Sequence, residues 1–546
     1  MTLQIGTCVT LLCLGTFGQT GGQTRSGAPS SRAQGAGGSI QGRVLKSRDK
    51  QPLAGIDVFL VGSTQRPPAR TGPDGGFLFD RLAAGRYSVM LHPRDGYRVR
   101  EPIIVLREGQ KVADLRILAY TGASISGQVR DKGGRPIVGL VVSAIRLHGA
   151  GPRFAPDRGG IPTSTNDLGE YKIQGLNPGR YAILAETRRL TVAPKHWGDN
   201  DEKLTLPPPA VRRVSTYFPD AATLDLAAPI EVQEGQVLEG MDVTIAAAET
   251  FCVRSRVLGA GSRSGQIRIQ VTSDLYMGAA ILAQGELAVG SGFEVCGLPA
   301  GTYSLLASTL EADREPQYAT ESFAVTNRSL RVTDLSLRPL IPLAGLLTIE
   351  GASASEPLPG AVVINLNSIS RPLIVHEKLQ VQVAKPGPFV VPAVLPAEYW
   401  LNVRTPTGFY VNSATMDGRD AMREPLHAAG RELHIIIRKD GSQLTVRAVD
   451  SKDAPVPGAS VLVGRDPLPF SYTFGDLVNT VADQDGQAAF PSLAPGKYRV
   501  VVLADTPADP ASAGPLFLAN RIKGETVELA ARESRSLSVR ALDRRD

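Results

Sequence analysis

The stretch Leu176-Asn177-Pro178-Gly179-Arg180-Tyr181 decides the reading of this chain, because the same frame returns four more times. Its tyrosine has counterparts at Tyr87, Tyr303, Tyr399 and Tyr498, at successive spacings of 94, 122, 96 and 99 residues. Five positions before each tyrosine stand Leu82, Leu176, Leu298, Val394 and Leu493. Three before it come Ala84, Pro178, Ala300, Pro396 and Pro495, and two before it Gly85, Gly179, Gly301, Ala397 and Gly496. A repeat of this period marks an array of similar units.

The physical content of the frame is a turn between two strands. Proline presets φ for the second place of a turn, and the glycine after it supplies the positive φ of a type II turn. Ala397 breaks the pattern, so the fourth turn is expected to differ in type or to carry strain. Apolar residues alternate on both sides, as in Tyr171 and Ile173 before the turn and Ile183 and Ala185 after it. A period of two places alternate side chains on one face of a half-buried strand. Helical periodicity is almost absent.

Two further motifs recur upstream. Pro52-Leu53-Ala54-Gly55, Pro136-Ile137-Val138-Gly139, Pro357-Leu358-Pro359-Gly360 and Pro455-Val456-Pro457-Gly458 each open an alternating strand. The third copy lacks the proline but keeps Gly265, Ile267, Ile269 and Val271. Between the motifs lie hairpin signals at Pro73-Asp74-Gly75, Asn166-Asp167-Leu168-Gly169 and Asp485-Gly486. The 57 glycines and 40 prolines among 546 residues, roughly half as many again as average, thereby acquire a place in the turns. With 42% hydrophobic residues, wholesale disorder is excluded.

The pattern P-x-x-G, D-x-G-x-[FY], L-x-P-G-x-Y resembles the carboxypeptidase regulatory-like module, a transthyretin-like sandwich related to the Cna B-type domains. The resemblance is clearest in copies one, two and five, and weaker in three and four. Tyr217-Phe218-Pro219 through Ile230–Gln236 resembles the connector of exported bacterial proteins built from such modules. It implies an all-β fold, a tandem array of antiparallel Ig-like or transthyretin-like β-sandwiches, and carbohydrate binding by fold analogy. The expected units are a signal peptide at 1–18, a flexible linker at 19–37, and sandwiches at 38–120, 121–247, 248–340, 341–440 and 441–546. The second carries a long insertion and connector.

Residues 3–17 form an uncharged apolar run that suits the h-region of a secretory signal, with Thr16 and Gly18 small enough for cleavage after Gly18. No Lys or Arg precedes the run, which leaves a buried N-terminal strand as an alternative. A lipid anchor at Cys13 is another, although bulky Leu12 stands where a small residue belongs. No later run is long enough to span a bilayer. Export would leave Cys252 and Cys296, which either form one disulfide or remain two small buried thiols. The expected location is secreted, periplasmic or on the cell surface.

No catalytic signature is present: no nucleophile elbow, no H-E-x-x-H, no phosphate-binding loop and no dinucleotide fingerprint. The six histidines are dispersed and no C-x-x-C occurs, so neither metal nor other cofactor is expected. Asp483-Gln484-Asp485-Gly486 opens like a calcium loop but lacks the later ligand, and reads as a hairpin turn. No regularly placed Lys on the opening strands supports an isopeptide cross-link. The 59 Lys+Arg against 53 Asp+Glu are scattered singly or in pairs such as Arg188-Arg189 and Arg212-Arg213. They read as a solvated surface with no nucleic-acid face.

The best candidate ligand-binding cluster outside the repeated core markers is His196-Trp197, with Tyr217 and Phe218 after it, in the insertion that stretches the second spacing. Long loops on a rigid scaffold are where binding resides, while Trp197 could equally cover the junction with the next unit. The expectation is an exported, non-catalytic, rod-like binding or scaffolding array, its partner a polysaccharide or an envelope protein. The alternative is an accessory subunit of an exported peptidase or glycoside hydrolase, with a cryptic hydrolase third.

Overall fold

The computed structural model describes residues 37–542 apart from 63–65, 93–95, 100–102, 148–156, 196–205, 260–264, 274–279, 311–314, 351–357, 370–377, 430–431, 470–474 and 505–509. The expected signal peptide, nearly all of the linker, Cys8 and Cys13 therefore lie outside the described residues. Within them the chain is all-β, with five hydrophobic cores in succession. These run through Ile40–Ala119, Ala123–Ile245, Phe251–Leu337, Leu343–Ile437 and Leu444–Val539. Among the described residues no helix is long and apolar enough to cross a membrane.

The first module shows how each core is enclosed. One sheet carries Gly76–Leu82, Gly38–Lys46, Lys111–Thr121 and Tyr97–Val99; the other carries Ala69–Arg70, Asp57–Gly62, Gly85–Leu91 and Ile103–Leu106. Alternate residues of both sheets, such as Ile40, Val58, Phe77 and Tyr87, are buried between them. Pairing is antiparallel except that the opening strand lies parallel to the last one, in register from Gly42 opposite Leu115 to Lys46 opposite Ala119. The same parallel pair recurs in the fourth module, Ile341–Glu350 with Leu433–Arg438, and in the fifth, Ser442–Val449 with Ser534–Arg540.

The turn of the tyrosine frame differs from the expected type II turn and joins two sheets. The strand before it and the strand after it belong to different sheets: Glu170–Leu176 pairs with Ala123–Arg130, whereas Gly179–Glu186 pairs with Val141–Leu147. Gly179, Gly301 and Gly496 take φ of 155°, 159° and 143°, far from the roughly +80° of a type II turn. Ala397 occupies the fourth turn without a positive φ, which removes the strain expected there. The tyrosines close these corners. Each is at most 2% exposed, and each hydroxyl donates to the carbonyl four residues back. The distances are 2.8 Å for Tyr87 to Ala83, 2.8 Å for Tyr181 to Asn177, 2.6 Å for Tyr303 to Pro299, 3.0 Å for Tyr399 to Leu395 and 2.6 Å for Tyr498 to Ala494. The ring fills the core while the phenol satisfies a carbonyl where the chain changes sheet.

The other two motifs meet on the opening strand. The Val44 amide donates to Gly75 and its carbonyl accepts from Leu53; Val129 does the same with Gly169 and Ile137, and Ala448 with Gly486 and Val456. A side chain on Gly75 would put its Cβ 2.5 Å from the Val44 oxygen, so this close approach requires glycine. In the fifth module Asp483 Oδ1 accepts the amides of Asp485 and Gln487 at 2.9 and 2.8 Å, an Asx turn.

Two features were not legible in the periodicity. Pro510–Asn520 is a helix whose Phe517 is 1% exposed against Leu462 and Val501, in the space left by side-chain-free Gly464. The expected rod also doubles back. Ile103 of the first module bridges to Asp483 of the fifth, where Gln484 accepts from the Val105 amide at 3.1 Å and donates to its carbonyl at 3.3 Å.

Buried phenols tie stability to alkaline pH. Burial, with Asp242 nearby as the lesser cause, pushes the Tyr171 phenol well above its ordinary 10.0, and burial also raises Tyr498. Below about pH 10 both states are protonated and the full stability is present. Above it the unfolded chain ionises first, so stability falls as pH rises toward the folded-state values. Urea midpoints measured from about pH 9 to 12 should therefore decline, and Tyr171→Phe should flatten the decline.

Candidate functional site

The 122-residue spacing contains an excursion that leaves one module to complete another. From Glu186 the chain crosses to Leu190–Lys195, which lies parallel to Ala280–Ala288 at Leu190 and Thr191 and antiparallel to Gly292–Pro299 at Val192 to Lys195. This strand joins the two sheets of the third module along one seam, and Val192 is 2% exposed in the third core. The chain returns as Ala210–Arg213, paired antiparallel with Ala247–Thr250, and re-enters the second module at Thr216-Tyr217. Thr187 and Ser215 tie the two limbs at the crossing: the Thr187 amide donates to Ser215 Oγ at 3.0 Å, and the hydroxyls lie 3.1 Å apart.

Between these limbs opens a cavity of about 710 Å³. Its walls carry Arg188 and Arg189 from the outgoing limb and Arg212 and Arg213 from the returning one. All four are exposed, and among the described residues none makes a side-chain hydrogen bond or ion pair. Glu186 and Glu294 also line the space. Glu294 is already engaged: Arg254 Nε lies 2.5 Å from one carboxylate oxygen and Lys195 Nζ 3.5 Å from the other. The cavity is therefore electropositive, with an aliphatic lining from Leu184, Leu190, Ile281 and Leu282. Gly297, at φ 102°, keeps it open: a Cβ there would lie 2.9 Å from Leu190 and 3.7 Å from the Arg212 stem.

A second cavity, of about 390 Å³ in the fifth module, is different in kind. Its Arg499 is paired with Asp466 at 2.8 Å and its Arg465 with Asp476 at 3.4 Å, so two of its three arginines are met within the fold and Arg521 alone stands exposed at its wall.

Cys252 and Cys296 are joined by a disulfide between neighbouring strands, and Cys296 lines the larger cavity. The bond closes a loop across a separation of 44 residues, for which chain entropy gives a stabilisation of up to about 4 kcal/mol. Cys252→Ser with Cys296→Ser should lower one calorimetric transition of the whole chain accordingly. No change would mean that the strand pairing already fixes the loop.

The sequence-level candidates are distributed unevenly about this site. His196 and Trp197 lie outside the described residues, between the two limbs. Tyr217 is 0% exposed and packs with Ile145, Ala182 and Leu184, so it presents no ring to a ligand. Phe218 is half-buried against the second core, its amide donating to Ile183. The arginine pairs, read from sequence as solvated surface, are what the fold brings together. Their signal was positional: one pair stands at each end of the insertion. Among the described residues no group of three or more His, Cys, Asp or Glu is placed to hold a metal ion.

No described protein family matches the chain. It is similar to the BOS complex subunit NOMO3 of Homo sapiens, 27% identical over 137 residues, which is 25% of this chain and 11% of that protein's length. The BOS complex subunit NOMO1 of Mus musculus is 26% identical over 136 residues, with the same shares. Among solved structures, a streptococcal ancillary pilin is 12% identical and covers 54% of this chain and 98% of its own, with a TM-score of 0.17. The major pilin subunit BcpA of Bacillus cereus is 10% identical and covers 77% and 99%, with a TM-score of 0.15.

Proposed function

We propose that this chain is an exported, non-catalytic binding or scaffolding protein that holds a polysaccharide in the cavity between its second and third modules. The observation that carries the reading is the set of four arginines around one cavity, Arg212 and Arg213 on strand Ala210–Arg213 and Arg188 and Arg189 in the link that leads into Leu190–Lys195, none of them with a side-chain partner among the described residues. The Cys252–Cys296 disulfide and the apolar N-terminal run support export.

The test is titration of the whole chain against a panel of soluble polysaccharides by calorimetry. Saturable binding that weakens on Arg188→Ala with Arg212→Ala is the expected result. Sugar or peptide release by the purified chain would overturn the non-catalytic reading. Absence of any polysaccharide binding, with co-purification of a hydrolase, would replace it with the accessory-subunit reading.

A further inference from the structure

Resting on that assignment of the cavity, we infer that its polysaccharide is acidic, bearing carboxylate or sulfate groups on its sugar rings. Elsewhere the fold gives partly buried arginines acidic partners, Arg268 with Glu286, Arg423 with Asp476 and Arg499 with Asp466, and at the cavity itself Glu294 is taken by Arg254. Arg188, Arg189, Arg212 and Arg213 are gathered without an acidic partner among the described residues, and gathered like charges repel unless a counter-charge arrives. A guanidinium fork donates two parallel hydrogen bonds to a carboxylate or sulfate, a geometry that fixes orientation as well as charge.

The remaining lining argues for a sugar over other anions. Leu190, Ile281 and Leu282 offer an aliphatic surface to the C–H face of a ring, while among the described residues no aromatic side chain lines the cavity to stack on a neutral glycan. An acidic peptide would be held chiefly by adding a strand to a free sheet edge. At the cavity walls Leu190–Lys195 has neighbouring strands on both sides, and so has the end of Gly179–Glu186; the free edge is that of Ala210–Arg213, paired with Ala247–Thr250 alone, and poly-glutamate in the experiment below tests it. The volume falls within the roughly 300–1,000 Å³ usual for ligand sites, so the cavity takes a short segment of a longer chain.

The experiment compares polygalacturonate, dextran sulfate and uncharged dextran by calorimetry with the whole chain, at about 50 and about 500 mM NaCl. Polygalacturonate or dextran sulfate should bind saturably and weaken in high salt, and which of the two binds more tightly identifies the anionic group. Arg212→Gln with Arg213→Gln should weaken that binding about tenfold or more, with an unchanged melting profile because both side chains are exposed and have no partner among the described residues. Arg116→Gln with Lys172→Gln, both exposed and neither lining the cavity, should leave it unchanged. Equal binding of uncharged dextran would overturn acidity while leaving the polysaccharide reading standing. Equal binding of poly-glutamate or of a single-stranded oligonucleotide would overturn the choice of a sugar. Full affinity in the arginine variant would overturn the site, and no binding to any polysaccharide would remove both proposals together.

Discussion

Val192→Asp should unfold the third module and leave the second folded, although Val192 belongs by sequence to the span of the second. Its side chain is 2% exposed in the third core, and the site offers no slack: a Cβ on neighbouring Gly285 would come within 2.7 Å of the valine Cβ. A carboxylate there has no cation partner, and an uncompensated buried charge costs about 3–5 kcal/mol. The seam strand would also be lost, parting Ala280–Ala288 from Gly292–Pro299. Thr191→Asp, one residue earlier and exposed, should cost less than about 0.5 kcal/mol. Hydrogen exchange checks both. With Val192→Asp, protection should fall across 247–258 and 280–299 and persist across 123–130 and 141–147. If Leu190–Lys195 were only a tether, the two variants would behave alike.

Tyr498→Ala should destabilise the fifth module by about 3–5 kcal/mol, the range for deleting a large buried aromatic. Tyr498→Phe isolates the phenol and should cost about 1–1.5 kcal/mol, since it leaves the Ala494 carbonyl without its 2.6 Å donor. The geometry is the same in all five copies, so Tyr87, Tyr181, Tyr303 and Tyr399 should each show a similar small Phe effect and large Ala effect. Urea or thermal melts of the whole chain, followed by hydrogen exchange within the affected module, separate the two contributions. Five silent Phe variants would show that ring packing alone holds the corner.

These residues also show how much was legible beforehand. The tyrosine frame, the P-x-x-G turn and the D-x-G turn are local: each uses hydrogen bonds or φ angles within a few residues, so the repeat exposes them at once. What the strands pair with is set by contacts far apart in the chain. The Pro-Gly turn therefore read as a type II turn between two strands and is a crossing between sheets. The opening strand found its parallel partner about 75 residues away in the first module. Phe517, on a helix with no α-helical counterpart among the described residues of the other modules, folds back onto Gly464.

The candidate site divides in the same way. The insertion between copies two and three was visible as a lengthened spacing, and Cys252 and Cys296 as an even pair in one copy. Tyr217, chosen as a surface aromatic, is core, because its two-residue strand lies against Leu184 and Ala185. Arg188-Arg189 and Arg212-Arg213 are 24 residues apart and looked like ordinary surface charge. By itself, then, the sequence determined the repeated sandwich, the corner tyrosines and the turns, because those depend on periodicity and backbone conformation over a few residues. Only the tertiary structure decided that strand 190–195 completes the neighbouring module and that four arginines share one cavity. Charge acts through space, and only the pairing of distant strands sets which charges are near.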